Sequence, residues 1–206
     1  MFISGRILIL GAHPDDAELG MGATISKLTR EMLSCDDIRV LTFAWKSYTG
    51  ESLIEPHKRA MKTLGIKNYE MLNFEPTMGF FNRQDILDIL YKEHKNDYST
   101  VFTHNSYTSN QDHQVIFEET RRAFRDTAIL GYSCPSSDYG FSSTPSYIRV
   151  SKQDALKKIR AAKEYTVYKK KPYMLPEAIM GTLRANGLEI FGKGLAERFE
   201  PIRVII

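Results

Sequence analysis

The sequence predicts an α/β fold in which a mostly parallel β-sheet is covered by helices on both faces. Apolar runs of strand length alternate with helix-forming segments up to about residue 132, which is the pattern of βαβ units. The strongest run, IRVLTFAW at residues 38–45, is almost continuously apolar, as expected for a strand buried on both sides. With 206 residues and 42% hydrophobic composition, the chain can bury one sizeable core but is too short for two ordinary domains. We therefore expect one Rossmann-like domain over residues 1–206.

The alternating part of the chain contains five predicted strands, each a short run of aliphatic, β-branched or aromatic residues. They cover residues 6–10, 38–45, 69–74, 99–103 and 128–132. Helices are predicted between these strands from apolar residues at helical spacing. In the helix at residues 56–64, Pro56 occupies a first-turn position, and Gly65 ends the helix. One follows the first strand, and the others cover residues 56–64, 84–95 and 111 to about 126.

The rest of the chain predicts elements that cover the sheet and add a strand, rather than a second domain. They are a Ser-rich loop at residues 133–144, a strand at 147–150, a helix at 151–165, a helix at 177–185 and extended chain at 196–206. Ser151 is the expected N-cap of the first of these helices. Asn186 and Gly187 are expected to end the second.

The charge balance gives no indication of a nucleic-acid partner. Lys and Arg number 28 against 25 Asp and Glu, so the net charge is only +3. The richest basic patch is the run of lysines at residues 169–171, flanked by Tyr168 and Tyr173. Because this run is shorter than a usual nucleic-acid patch, we interpret it as a solvated helix end.

Cysteine usage predicts a cytoplasmic protein. Cys35 and Cys134 lie far apart and have no CxxC spacing, which excludes a structural zinc knuckle and favours reduced thiols. The apolar run near the N-terminus is too short for a signal-peptide core or a membrane span. We therefore expect no membrane span.

A dense group of reactive side chains follows the first predicted strand. His13, Asp15 and Asp16 occur close together, with Pro14 stiffening the turn. A tight turn can bring His13 and Asp16 to one point, and a mixed His/Asp donor set suits zinc, iron or another divalent ion. Asp15 projects differently and could take a proton from water at the ion. The residues alone equally allow Asp15 or Asp16 to cap the helix and His13 to be a core histidine.

A third ligand must come from elsewhere in the chain, and His104 and His113 are the candidates. Both flank the loop after the fourth predicted strand, which opens at the same sheet edge as the first motif. Asp112 is predicted to cap the following helix, and its carboxylate could also orient the ring of His113. His57 and His94 lie on other helical stretches, and we interpret both as surface residues.

Two motifs resemble those of the LmbE-like (PIG-L type) zinc N-deacetylases. AHPDD at residues 12–16, followed by ELGMGATISK, resembles their opening motif, and QDH at residues 111–113 resembles their second motif. The pair Leu64-Gly65 and the segment GLAE at residues 194–197 agree with the family as well. The resemblance extends over most of the chain.

This resemblance implies a role for each residue of the two motifs. His13, Asp16 and His113 would be the ligands of Zn²⁺, with Fe²⁺ as the other candidate ion. Asp15 would be the general base that activates the zinc-bound water. The reaction would be hydrolysis of the N-acetyl group of an amino sugar or sugar conjugate of the N-acetylglucosamine type, which releases acetate and a free amine.

The chain departs from the family pattern at the residue that assists the reaction. The family often has a histidine three residues before the last ligand, where it can stabilise the oxyanion, and this chain has Asn110 there. Either the Asn110 amide stabilises the oxyanion or His104 replaces it from the strand end. A family arginine before Leu-Gly also lacks a clear counterpart, although Arg59 is near. The departure at Asn110 supports an alternative, a catalytically weakened or inactive sugar-binding protein of the same fold.

The expected partner is a small amino-sugar substrate. The loops at residues 75–82 and 133–144, with Phe80, Phe81 and Tyr139, are candidate walls for a sugar, and such aromatic-rich loops also leave room for a homo-oligomer. A nucleotide-binding protein is disfavoured, because no GxGxxG pattern follows the first strand.

Overall fold

The computed structural model describes residues 5–31, 35–77 and 80–205 of the chain, and a seven-stranded β-sheet runs through them. The strands are β1 (Ile7–Gly11), β2 (Ile38–Ala44), β3 (Asn68–Phe74), β4 (Thr100–His104), β5 (Ala128–Tyr132), β6 (Ser146–Val150) and β7 (Leu195–Arg203). The helices are α1 (Asp16–Glu31), α2 (Ile54–Leu64), α3 (Arg83–His94), α4 (Gln111–Ala123), α5 (Lys152–Lys163) and α6 (Pro176–Phe191). The predicted alternation of strands and helices is confirmed.

The strand order of the sheet is β3-β2-β1-β4-β5-β7-β6. The first five strands in this order, from β3 through β2, β1 and β4 to β5, are parallel to one another. Strand β7 runs antiparallel to both of its neighbours, β5 and β6. The order reverses at β1, which pairs with β2 on one side and with β4 on the other. In open α/β sheets a crevice for ligands forms at such a switch point, outside the carboxyl ends of the strands.

Both faces of the sheet are buried at its central strands, which explains the continuous apolar runs in the sequence. Ile7 and Ile9 of β1 pack in a cluster that includes residues of α1, α2, α5 and α6. Leu8 and Leu10 point to the other face and pack with residues of α3 and α4. Because alternate residues of one strand belong to opposite clusters, neither face has a polar stripe.

Helix α1 bends in its second turn. Met21 has φ −142° and ψ 22°, outside the helical region. Beyond the bend, the N–H groups of Ala23 and Thr24 donate to the carboxylate of Glu197 at 3.2 and 2.6 Å. Lys158 Nζ also donates to Glu197 at 2.6 Å. A carboxylate from β7 thus caps the second half of α1 and is itself neutralised by a lysine of α5.

Helix α6 continues past the residues predicted to end it. Gly187 lies inside the helix, where a Cβ atom would overlap the backbone of Gly194. Its glycine therefore serves a close approach between backbones. The helix ends instead at Gly192, whose φ of 66° is the left-handed conformation that commonly follows a last helical turn.

Three sequence expectations fall partly outside the described residues. The loop at residues 75–82 includes residues 78 and 79, the extended segment at 196–206 includes residue 206, and the side chain of Cys35 is not described. Cys134 is a free, buried thiol. Within the described parts of the chain, the helices are too short or too polar to cross a membrane.

Candidate metal and active site

The turn after β1 brings His13 and Asp16 together. Asp16 begins α1, and its Oδ2 atom accepts a hydrogen bond from the backbone N–H of His13 at 2.7 Å. The backbone N–H of Asp16 donates in return to the carbonyl of His13 at 3.3 Å. This reciprocal pair closes the turn, so the Asp16 carboxylate is held beside the His13 ring at the carboxyl end of β1.

His113 forms a donor triangle with these two residues, in which the third corner is the Asp16 carboxylate and each of its two oxygens faces one histidine. His13 Nδ1 lies 3.2 Å from His113 Nε2, His113 Nε2 lies 3.3 Å from Asp16 Oδ1, and His13 Nδ1 lies 3.5 Å from Asp16 Oδ2. Bonds of ~2.0–2.1 Å to a tetrahedral zinc ion place nitrogen and oxygen ligands about 3.3–3.4 Å from one another. The spacing of the three side chains therefore fits a single tetrahedral ion.

The outer nitrogen of each ring is held so that the inner nitrogen faces the triangle. His13 Nε2 lies 3.0 Å from Asp112 Oδ2 and can donate to it. His113 Nδ1 lies 3.3 Å from Ser137 Oγ and 3.4 Å from Thr108 Oγ1. Such outer contacts orient a histidine ligand and direct its other nitrogen at the ion, which that nitrogen binds once it has lost its proton.

Asp112 was expected to orient His113, but its carboxylate contacts His13 instead. Successive helical side chains project about 100° apart, so Asp112 and His113 face different directions from the first turn of α4. Asp112 Oδ2 also accepts from the backbone N–H of Thr77 at 2.6 Å, which ties the loop after β3 to the site.

The electrostatics of the turn favour a positive charge. Burial lowers the pKa of His13, but the carboxylates of Asp16 and Asp112 outweigh burial and raise that pKa to about 10. Burial would raise the pKa of Asp16, but His113, His104 and His13 together hold it well below its usual value. A site that holds a proton this firmly is suited to hold a metal cation in its place.

A second group of donors, His104, His113 and Cys134, is less suited to an ion. The rings of His104 and His113 stack, with centroids 3.8 Å apart and planes 13° apart. Imidazole lone pairs lie in the plane of the ring, so two stacked, nearly parallel rings cannot both point at one ion. Burial and the charge of Asp16 also raise the pKa of the Cys134 thiol well above its usual value, so it stays protonated.

His104 lies beneath the site rather than in it, which contradicts its expected role at the oxyanion. It is 1% exposed, and its Nε2 atom accepts from the backbone N–H of Ala12 at 3.1 Å. Burial and the nearby His113 lower its pKa to about 4, so the ring is neutral. The strand end that made His104 a candidate directs its ring into the buried layer behind His113 and Asp16.

Asn110, not Asp112, is the N-cap of α4. Its Oδ1 atom accepts from the backbone N–H groups of Asp112 at 2.9 Å and His113 at 3.3 Å. Asn110 also lines the pocket in front of the donor triangle. Because its carbonyl oxygen is engaged by the helix, the amide N–H₂ group is the part that could act on a substrate.

Asp15 lines the same pocket and is not part of the donor triangle. Its side chain is 9% exposed. Burial and the charge of Asp16 raise the pKa of Asp15 to about 7. A carboxylate with a pKa near neutrality, beside a possible ion site, is suited to take up and release a proton.

The pocket is a cavity of about 360 Å³, within the size range of small-molecule sites. Its aromatic wall differs from the predicted one and consists of Tyr48, Tyr168 and Tyr173. Phe80, Phe81 and Tyr139 are instead exposed residues outside the lining of this pocket. Lys46, Lys171 and Ser136 add polar groups to the wall. The lysine run at residues 169–171 is therefore not only a solvated helix end, because Lys171 lines the pocket.

The two remaining histidines differ from each other. His94 is partly exposed and pairs with Asp126 at 2.7 Å, as expected for a surface residue. His57 is fully buried, against expectation, and its Nδ1 atom lies 2.9 Å from the carbonyl oxygen of Pro14.

Known proteins share both sequence and fold with this chain. The model of the family described as PIG-L: GlcNAc-PI de-N-acetylase matches residues 8–124. A protein of Escherichia coli strain K12, named uncharacterized deacetylase YaiS, is 30% identical over 145 residues, which are 66% of this chain and 77% of that protein.

Two solved structures have a similar fold. Teicoplanin deacetylase Orf2, in its zinc-inhibited form, matches with a TM-score of 0.76 at 12% identity, covering 94% of this chain and 96% of that one. The N,N'-diacetylchitobiose deacetylase of Pyrococcus horikoshii, complexed with its inhibitor MPG, matches with a TM-score of 0.67 at 20% identity, covering 95% and 83%.

Proposed function

This chain belongs to the PIG-L family of deacetylases, which are amide hydrolases, and from that premise we propose its substrate and mechanism. The proposed reaction is hydrolysis of the N-acetyl group of an amino sugar or sugar conjugate of the N-acetylglucosamine type. Water and the amide give acetate and a free amine. The observation that supports it most is the triangle of His13, Asp16 and His113 beside Asp15 on the floor of a small-molecule pocket.

His13, Asp16 and His113 would hold a divalent ion, and Zn²⁺ is the first candidate because the donors are two imidazoles and one carboxylate. Fe²⁺ accepts the same donors and is the second candidate. When bound, such an ion lowers the pKa of water and polarises the acyl carbonyl. The distances of 3.2, 3.3 and 3.5 Å between the donor atoms support this assignment.

Asp15 is the proposed proton carrier. Its carboxylate takes a proton from the attacking water as the new C–O bond forms at the acetyl carbon. It then gives the proton to the amide nitrogen as the C–N bond breaks, so that the amine leaves uncharged. A pKa near 7 favours both halves of this transfer at neutral pH.

Asn110 is the proposed donor to the oxyanion. Its amide N–H₂ group lies on a residue that lines the pocket and whose other end is fixed by α4. A single donor of this kind typically stabilises a transition state by about 2.7–4 kcal/mol. A neutral amide supplies no positive charge, so we expect this enzyme to depend more on its ion than a relative with a histidine there.

The tyrosines of the wall are proposed to face the sugar. Tyr48, Tyr168 and Tyr173 offer flat apolar rings with hydroxyl groups, which suit the mixed apolar and polar faces of a pyranose. The Pyrococcus relative is named for a diacetylated chitobiose, a sugar of the proposed class.

The test is a metal analysis combined with a substrate panel. Protein purified without chelator should contain about one zinc or iron ion per chain. It should release free amine from at least one of N-acetylglucosamine, N,N'-diacetylchitobiose or a phosphorylated N-acetylglucosamine conjugate. Asp15→Asn is the matched control: it should retain the ion, and we expect its rate to fall by about 10²–10⁴.

Two results would contradict the proposal in different ways. If the protein is folded but contains no metal, the assignment of the ion site is wrong. Metal-loaded protein that binds these sugars without releasing amine would favour the alternative, a sugar-binding protein that has lost activity.

A further inference from the structure

A buried polar cluster lies behind the turn that carries Asp15. It consists of Glu18 from α1, His57 from α2 and Tyr165, which follows α5. Glu18 and His57 are 0% exposed and Tyr165 is 1% exposed. His57 Nδ1 lies 3.0 Å from the Tyr165 hydroxyl and 3.3 Å from Glu18 Oε1. The Tyr165 hydroxyl oxygen lies 2.5 Å from Glu18 Oε1.

The cluster converges on one backbone atom, the carbonyl oxygen of Pro14. His57 Nδ1 lies 2.9 Å from this oxygen, and the Tyr165 hydroxyl is also within hydrogen-bond distance of it. The carbonyl belongs to the peptide unit that joins Pro14 to Asp15. Because a peptide unit is planar, fixing the carbonyl also fixes the N–H and Cα atoms of Asp15.

The cluster has two donor hydrogens and two inner acceptor atoms, so both donors can be satisfied. The His57 Nδ1–H group and the Tyr165 hydroxyl supply two hydrogens, and Pro14 O and Glu18 Oε1 accept them. The outer atoms, Glu18 Oε2 and His57 Nε2, are buried without a hydrogen-bond partner among the described residues. Leaving polar atoms unpaired in a core costs stability.

The same cluster connects the turn to the wall of the pocket. Tyr165 is followed by a short 3₁₀ turn, Thr166–Tyr168, in which Tyr168 lines the pocket. The backbone N–H of Tyr168 donates to the carbonyl of Tyr165 at 2.9 Å. Tyr165 thus joins the residue proposed to move the proton to a residue proposed to face the sugar.

We propose that Glu18, His57 and Tyr165 form a positioning network that sets the backbone of Asp15, and through it the direction of its carboxylate. This inference rests on the proposed function, in which Asp15 moves the proton. The three residues touch neither the substrate pocket nor the donor triangle directly; they act through Pro14. A misplacement of a reacting group by about 1 Å can cost about 10²-fold in rate, so a loose Pro14–Asp15 peptide is expected to lower kcat.

The main test is Tyr165→Phe, which removes one hydroxyl and keeps the ring. We expect kcat to fall by about tenfold to a hundredfold, with KM and bound metal unchanged. Tyr98→Phe is the matched control, because the Tyr98 hydroxyl is also a buried donor to a glutamate, Glu93, at 2.8 Å. That control should lose stability without losing kcat.

Two further variants separate positioning from packing. In an Asp15→Asn background, Tyr165→Phe should cause no additional loss of rate, because the group it positions is already gone. His57→Asn keeps an N–H donor close to the position of Nδ1 and should retain more activity than His57→Leu. Full additivity with Asp15→Asn, or equal rates for the two His57 variants, would overturn the proposal.

Hydrogen exchange provides a readout that does not need turnover. In Tyr165→Phe, the amides of residues 12, 13 and 15–18 should exchange faster than in the wild type, whereas in Tyr98→Phe they should not. Unchanged exchange and unchanged kcat would overturn the positioning network. A wild type that releases no amine but shows the expected exchange pattern would contradict the proposed function alone.

Discussion

The imidazole ring of His104 lies flat against that of His113, with centroids 3.8 Å apart and planes 13° apart. His104 comes from the end of β4, and His113 comes from the first turn of α4. The stack supports His113 from its buried side, while Ser137 and Thr108 approach its outer nitrogen. The ring is therefore fixed in rotation as well as in position, with Nε2 facing Asp16.

Replacing His104 by alanine should weaken metal binding. The variant loses the surface against which His113 packs, and outer supports of this kind typically contribute about 10–100-fold to metal affinity. Competition with a chelating dye would measure the change. His94→Ala, at a partly exposed site paired with Asp126, is the control and should bind metal normally. An unchanged metal affinity in His104→Ala would mean that stacking on His104 does not hold His113 in place.

Replacing Asn110 by serine should separate its two functions. Serine retains a capping oxygen for α4, so the free energy of unfolding should change by only a few tenths of a kcal/mol, whereas Asn110→Ala should lose roughly 0.5–2 kcal/mol. Serine lacks the amide N–H₂ group, so we expect kcat to fall by about 10²–10³. Urea unfolding and amine release measure the two effects. A serine variant with normal kcat would make Asn110 a helix cap only.

Replacing Gly20 by alanine should destabilise the fold. A Cβ atom there would overlap the ring of Tyr132, whose hydroxyl donates to the carbonyl of Leu10 at 2.6 Å. Overpacking of this type costs about 1–3 kcal/mol. Gly181 lies in α6 with nothing within 4 Å of an added Cβ, so Gly181→Ala is the control and should stabilise by roughly 0.5–1 kcal/mol. Equal urea midpoints for the two variants would contradict the close contact at Gly20.

Asp154 should make the stability depend on pH in acid. Burial alone would raise its pKa, but hydrogen bonds from Ser151, Ser26 and Arg30 outweigh burial and lower it. Since the folded pKa is below the unfolded value of about 3.9, the stabilisation is present above that pH and is lost as pH falls through the folded pKa. Asp154→Asn should therefore be less stable than the wild type at pH 7. The difference between their free energies of unfolding should become smaller below about pH 4. A difference in free energy of unfolding that does not change with pH would mean that Asp154 stabilises the fold by packing rather than by its charge.

Much of the fold could be predicted because the central strands of the sheet are buried on both faces. The apolar runs at residues 38–45 and 128–132 match β2 and β5 almost residue for residue. The order of strands within the sheet could not be read from the sequence. The place of β7 between β5 and β6 depends on pairings far apart along the chain.

The residues alone grouped His13 with Asp16 and left His104 and His113 as candidates for the third ligand, and the family resemblance chose His113. His13 and Asp16 share one turn, and His113 follows a strand whose carboxyl end lies at the same edge. The cap at Asn110 was missed because Asp112 is an equally good capping residue by type. Only the helix start at Gln111 distinguishes them.

His57 was assigned to the surface although its spacing indicated otherwise. His57, Ala60, Met61 and Leu64 recur at i, i+3, i+4 and i+7, and all four are buried. This buried stripe is not obvious in the sequence, because the charged residues Glu55, Lys58 and Arg59 lie between its members or next to them. Tyr168 and Tyr173 gave no comparable signal, because the turns that carry them reach the pocket through long-range packing.

The position of β7 has a consequence for the order in which the molecule can form. During synthesis, β5 presents an open edge until residues Leu195–Arg203 emerge and pair with it, and open edges are prone to pair with other chains. The same segment delivers Glu197 to the N–H groups of Ala23 and Thr24. Helix α1 therefore gains its mid-helix cap only through a contact that spans 173 residues of chain. We expect a nascent chain halted before β7 to bind chaperones readily.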